Sequence, residues 1–259
     1  MHGIRNIGNT CFMNSSLQFL LSIPNFGKDT SLSEFLSTYN SANPRPELAK
    51  NIVASKLQSF NNHQQHDAHE WIVNLLDILE GPKNIYNHPS STENKIGENL
   101  LPYQFKLEVD VVFNKCKHTN THIEDLNHLS LNISESIEKS MEEFMKEVSV
   151  TSSCDTCTHK GDAIKKWKIK SMPNYLIVHT KRFTKFGRKI NNAIEPNLHE
   201  YKLVATVNHM GNQFSGHYTA CSYRDGKWWM CNDSKVCEIE ERHAIKAAEK
   251  AYLLMFKKC

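Results

Sequence analysis

The chain has 259 residues, of which 39 % are hydrophobic and 23 % charged, with 31 basic side chains against 28 acidic ones for a net charge of +3. That is the composition of a soluble globular protein, long enough to bury a full core as one large domain or two intimate subdomains. The basic residues are scattered with no stripe interleaved with aromatics, no apolar run reaches membrane length, and the start lacks a signal-peptide layout, so nucleic-acid, membrane and secreted classes are disfavoured.

In chain order, Gly3 and Gly8 bracket a turn that leads into an apolar run from Phe12 to Leu21. Met13, Leu17, Leu20 and Leu21 recur at helical spacing, which predicts a helix that stops before Pro24. Asn9 and Thr10 are natural caps, placing Cys11 in the first turn. A Ser-, Asn- and Thr-rich segment then reads as polar chain up to Pro44 and Pro46, followed by a predicted helix over Glu47 to Phe60. In QQHDAHEW, Asp67 can cap a further helix with Glu70 closing a capping box, and Trp71, Ile72, Leu75, Leu76 and Leu79 form its apolar face up to Gly81 and Pro82. Residues 83–100 read as a connection.

Beyond it, alternation predicts strands at Phe105 to Val111 and His128 to Ile133, then a charged helix over Ser134 to Val148. Further strands are predicted at Trp167 to Lys170, Tyr175 to Arg182, Tyr201 to His209, His217 to Tyr223, Lys227 to Met230 and Tyr252 to Phe256. Helices first and strands later make this an α+β chain.

A thiol at a helix start feels the positive end of the dipole, which favours the thiolate. Asn6, on the turn just upstream, can offer its amide to an oxygen held beside that sulfur. A lone cysteine is more often a small buried apolar residue. The whole string GIRNIGNTCFMNSSLQ, however, closely resembles the Cys box of the ubiquitin-specific proteases. Further blocks follow in that family's order: YLIVHTKRF, the SGHY of NHMGNQFSGHYTACSY, GKWWMCNDSKV, and the closing strand AYLLMFKK.

The resemblance implies a papain-like cysteine protease with helical thumb (1–100), zinc-tied fingers (101–171) and sheet-rich palm (172–259). It implies Cys11 as nucleophile, His217 as base with Tyr218 beside it, His209 as a supporting histidine, and Asn232 as the group orienting His217. Asp233 is the reserve for that role, since Asn-Asp-Ser is also ordinary turn chemistry. Asp67 and Glu70 resemble the acidic pair that receives the Arg-Leu-Arg-Gly-Gly tail of ubiquitin, where carboxylates answer guanidinium groups. The same residues need no function beyond capping.

Where the family carries two Cys-x-x-Cys pairs, this chain has Cys116-Lys-His118 and Cys154-Asp-Thr-Cys157. A Cys₃His set still suits structural zinc, with His122 or His159 as alternative fourth ligands, or the site has decayed to free thiols. No cofactor is expected for catalysis. The cysteine spacing suits a metal and a nucleophile better than a disulfide frame, so a cytosolic or nuclear home is expected. Ubiquitin and ubiquitinated proteins are the expected partners of a minimal, monomeric enzyme. A catalytically silent ubiquitin-binding module and a protease for a ubiquitin-like modifier are the rivals.

Overall fold

Helical spacing governs the first part of the chain. In the computed structural model, which describes residues 1–81 and 100–259, α1 (Cys11–Leu20) is buried along its whole length. Its polar residues therefore need partners: Asn14 Nδ2 donates to the Ile4 carbonyl, Ser16 Oγ to that of Phe12, and Gln18 Nε2 to that of His2. The polar segment holds an unforeseen helix, α2 (Ser33–Asn40), which buries Phe35 and Tyr39 and packs Leu36 against the same core, just after the buried Leu32. Leu32, Phe35, Leu36 and Tyr39 keep helical spacing, a short stripe set among the Ser, Asn and Thr that made the segment read as polar chain.

Helix α3 (Pro46–Ala54) opens on a proline at its first position and ends earlier than its spacing predicts. The rest of the predicted span holds a 3-10 turn at Gln58–Phe60. Helix α4 (Ala68–Glu80) is capped by Asp67, whose Oδ1 accepts the Glu70 N–H at 2.9 Å, and buries Trp71, Ile72, Leu75 and Leu76. The connection expected over 83–100 lies, but for Leu100, outside the described residues.

The remainder runs β1 (Phe105–Phe113), β2 (Thr119–Leu126), β3 (Leu129–Leu131), α5 (Ile137–Phe144), β4 (Val148–Ser153), β5 (Lys160–Ile169), β6 (Tyr175–Thr180), β7 (Tyr201–Gly211), β8 (Gly216–Arg224), β9 (Lys227–Asn232), β10 (Lys235–Ile239), α6 (Glu241–Ala248) and β11 (Leu253–Lys258). Strands β2-β1-β5-β4 form an antiparallel sheet of two hairpins side by side. The other sheet has the order β10-β9-β8-β7-β11-β6-β3. Strand β3 and helix α5 fall inside the 101–171 span, yet β3 closes the edge of this larger sheet, parallel to β6. The four-stranded sheet is thus built of two hairpins from discontinuous stretches of the chain.

The larger sheet is covered on both faces. Along β11, Leu253 and Met255 pack with α1, α3 and α4, while Leu254 and Phe256 face the cluster that holds Ile137 and Ala248. Strands buried on both sides read as unbroken apolar runs, which is why YLIV and LLMF are so plain in the sequence. Arg182, 1 % exposed, sits among them and donates to the carbonyls of Ala251, Ile190, Asn192 and Glu249. No described helix is long and apolar enough to cross a membrane.

Candidate active site

Helix α1 lies against β8, which brings the first residue of one to the first residues of the other. Cys11 opens α1 and is 4 % exposed. Thr10 precedes it without capping the helix. Its Oγ1 instead accepts the Ile7 N–H at 3.0 Å and approaches Asn6 Oδ1 at 3.3 Å, so it builds the turn upstream. Burial pushes the Cys11 thiol above its ordinary value. The Tyr218 N–H pulls it down, the Asp233 carboxylate pushes it up, and the N–H groups of Phe12 and Cys11 pull it down. The helix start acts in the expected sense but loses to desolvation, so the dipole alone does not make a thiolate here.

His217 follows a close approach that only glycine permits. A Cβ on Gly216 would stand 2.3 Å from His209 Nε2 and from the Met210 carbonyl. The next residue, His217, holds Asn232 Oδ1 at 2.7 Å through Nε2. With Asn232 accepting, that nitrogen carries the proton and Nδ1 keeps its lone pair.

Asp233, on the β9–β10 turn, has other partners. Its Oδ1 accepts from Asn14 Nδ2 at 2.7 Å, its Oδ2 from Asn6 Nδ2 at 3.0 Å, and its carbonyl from the Ile4 N–H at 2.9 Å. The turn presses on the N-terminal segment so tightly that a Cβ on Gly3 would lie 2.2 Å from the Ser234 carbonyl oxygen. Asn6 is held from its other end too, its Oδ1 accepting the N–H groups of Gly8 and Thr10 at 3.1 Å. The neighbours Asn232 and Asp233 therefore hold different things, the imidazole and the Asn6 amide.

Asp67 has a second bond besides its cap: Tyr252 donates its hydroxyl to Oδ2 at 2.6 Å. The Tyr218 hydroxyl also reaches this carboxylate. Together with Gln65, His209 and Phe214 they line a cavity of about 220 Å³. Glu70 is exposed and outside that lining. His209 is buried and held by Lys189, whose Nζ lies 3.1 Å from Nδ1 and donates to the His209 carbonyl. Burial, then the Lys189 charge, pushes its pKa down to about 4, so it stays neutral and supports the wall. A larger cavity, about 1180 Å³, opens by Arg224 and Trp228 at the far end of β8 and touches none of these groups.

At the tips of the two hairpins, the ligand atoms of Cys116, His118, Cys154 and Cys157 all lie within 4.8 Å of one another. A tetrahedral Cys₃His zinc site, with Zn–S about 2.3 Å, has ligand–ligand edges of about 3.7 Å, so the set fits the metal. Burial pushes the Cys154 thiol up, but the N–H of Cys157, the His118 ring and the N–H of Thr156 outweigh it and bring the pKa to about 6. Amides aimed at a sulfur favour the thiolate a metal needs. His122 pairs with Glu124 on β2 at 3.5 Å, and His159 lies against Gly161, so among the described residues His118 completes the set.

A protein-family model described as ubiquitin carboxyl-terminal hydrolase matches residues 2–256. The chain belongs to the ubiquitin carboxyl-terminal hydrolase family. It is 28 % identical to ubiquitin carboxyl-terminal hydrolase 23 of Arabidopsis thaliana, over 98 % of this chain and 35 % of that protein. It is 25 % identical to probable ubiquitin carboxyl-terminal hydrolase 8 of Schizosaccharomyces pombe, over 99 % of this chain and 64 % of the relative. The chain thus spans between a third and two thirds of the length of these relatives.

Among solved structures it resembles the SAGA DUB module of Ubp8, Sgf11, Sus1 and Sgf73 bound to monoubiquitin, with a TM-score of 0.75, 24 % identity, and coverage of 100 % of this chain and 69 % of that one. A second likeness is a yeast SAGA DUB module, with a TM-score of 0.70, 25 % identity, and coverage of 100 % and 68 %.

Within this family member, Tyr252 and Gln65 are among the cleft residues that sequence reasoning left without a role. Tyr252 reads as the apolar start of a strand, and nothing local shows that its hydroxyl finds a carboxylate 185 positions earlier. Gln65 stands inside QQHDAHEW, where the eye goes to the carboxylates.

Proposed function

We propose that this chain is a thiol-dependent deubiquitinase that hydrolyses the isopeptide, peptide or thioester bond after the C-terminal glycine of ubiquitin. The observation that carries the reading is the His217–Asn232 bond on the strand whose next amide reaches the Cys11 sulfur. Asn232 holds the imidazole with Nδ1 as its basic nitrogen. His217 takes the Cys11 proton and the sulfur attacks the glycine carbonyl. The Cys11 N–H and the Asn6 amide receive the oxyanion, and His217 protonates the leaving amine. Water, deprotonated by His217, then cleaves the thioester and frees the thiol.

Asp67, with Tyr252 and Tyr218 around its carboxylate, is the acidic wall offered to an arginine of the ubiquitin tail. Glu70 adds charge nearby. Relatives of this fold have been solved with monoubiquitin and with ubiquitin aldehyde, which supports ubiquitin as the partner. The eight free cysteines support action in a reducing compartment, cytosol or nucleus. Ubiquitin carrying a C-terminal electrophile tests the reading. It should form an adduct that peptide mass spectrometry maps to Cys11. Absence of an adduct while the protein still binds ubiquitin would point to the silent module.

Because Asp233 holds the Asn6 amide, the two should act as one unit. Asn6→Ala is expected to lower kcat by about 10²–10³ with KM little changed, the usual worth of one oxyanion donor. Asp233→Ala should cost a comparable factor, and the double variant no more than the worse single one. Multiplied losses in steady-state kinetics would show that the Asn6–Asp233 bond has no part in catalysis.

A further inference from the structure

The side chain of Gln65 crosses from the segment before α4 to the start of β8. Its Oε1 accepts the Gly216 N–H at 3.1 Å, its Nε2 donates to the Gly216 carbonyl, and the same Nε2 lies 3.8 Å from the Cys11 sulfur. A primary amide has two N–H donors and one acceptor oxygen. Here one N–H and the oxygen grip Gly216 as a neighbouring strand would, and the other N–H is left for the sulfur.

Gly216 is the residue before His217, so what fixes its backbone fixes the root of the imidazole. Tyr218, on the other side of His217, reaches the sulfur with its own N–H, and Gln65 joins the same sulfur to the Gly216 backbone through its side chain. Chance packing of a surface glutamine would not use every hydrogen-bonding group on the same two partners, half-buried between two elements.

We propose that Gln65 is a further catalytic residue, which donates a hydrogen bond to the Cys11 sulfur as it becomes a thiolate and, through Gly216, positions His217. A hydrogen bond to the charged form of a group favours that form. The burial that pushes the thiol up is therefore offset at the moment the proton leaves. The opposite role, a place-holder that the ubiquitin tail must push out of Gly216, predicts opposite changes on removal of the amide.

The test reads Cys11 alkylation by iodoacetamide against pH, quantified on the Cys11 peptide because other cysteines are exposed. It needs no ubiquitin, so it stands whether or not the deubiquitinase reading holds; only its kinetic arm rests on that reading. Two variants are compared with wild type. Gln65→Ala removes all three bonds. Gln65→Glu keeps the length and the acceptor, loses the donors, and remains informative if the alanine variant is unstable. Asp233 and Tyr218, the ionisable groups that couple to the thiol, and His217 are unchanged in both.

The alkylation midpoint should rise by about one pH unit in Gln65→Ala, a tenfold loss of thiolate, and further in Gln65→Glu, where a carboxylate faces the sulfur. With ubiquitin substrate, kcat should fall about tenfold at neutral pH with KM held, and should recover as pH is raised. A midpoint that is unmoved or lower overturns the proposal. So does a fall in KM with kcat held, which would make Gln65 the place-holder.

Discussion

Replacing Cys11 by alanine should bring cleavage of the ubiquitin bond down to the uncatalysed background, a loss on the order of 10⁶ in kcat, while ubiquitin affinity is retained. His217→Ala should cost nearly as much, and the double variant hardly more than either, because a nucleophile without its base and a base without its nucleophile are equally idle. The structure sharpens this expectation. Burial pushes the thiol up and the helix start does not overcome it, so Cys11 depends on a partner to take its proton. Asn232→Ala should lose less than His217→Ala, since it loosens the ring without removing it. Single-turnover assays of the folded variants decide the matter. Residual fast turnover in Cys11→Ala, or simple multiplication of the two losses, would break the assigned pairing.

How much of this was legible beforehand depends on where the determining contacts lie. Cys11, His217 and Asn232 could be picked out because each sits in a short string whose neighbours also do local work. Gly216 permits an approach that no other residue allows, and the strand from His217 carries an unbroken buried run from Tyr218 to Ser222. The helix from Asp67 was visible for the same reason, since its cap and its apolar face are both local.

The failures have the opposite character. Strand β2 is exposed at almost every position, so it carries no hydrophobic period and owes its conformation to pairing with β1. Strand β4 follows a charged helix directly and is mostly exposed as well. The separate roles of Asn232 and Asp233 were beyond reach, because Asn6 and Asn14 meet Asp233 across 227 and 219 positions. The thiol's upward shift was also missed, as desolvation depends on what covers the helix start and not on the residues within it.

Removing the fingers metal should give the other large effect, this time on stability. At the far end of the four-stranded sheet the buried cluster among the described residues is Val111, Phe113, Cys154 and Ala163, with Cys116 and Val150 partly buried against them. At about 1.5–3 kcal/mol for each large side chain, that cluster contributes a few kcal/mol, too little to order two long hairpins against their conformational entropy. A structural zinc contributes about 10–16 kcal/mol of apparent binding free energy and joins the tip carrying Cys116 and His118 to the tip carrying Cys154 and Cys157. The metal term therefore decides whether the tips are formed.

Purified protein should contain about one zinc per chain, and Cys154→Ser should lose it. Amide exchange should then speed up in β4, β5 and the ends of β1 and β2, while β6, β7 and β11, buried on both faces, keep their protection. His118→Ala should lose the metal as well, whereas His122→Ala and His159→Ala should keep it. Zinc retained in His118→Ala but lost in either of the others would move the fourth ligand. A metal-free wild-type protein with well-protected tips would mean that the small cluster suffices and that the Cys₃His set has no structural task.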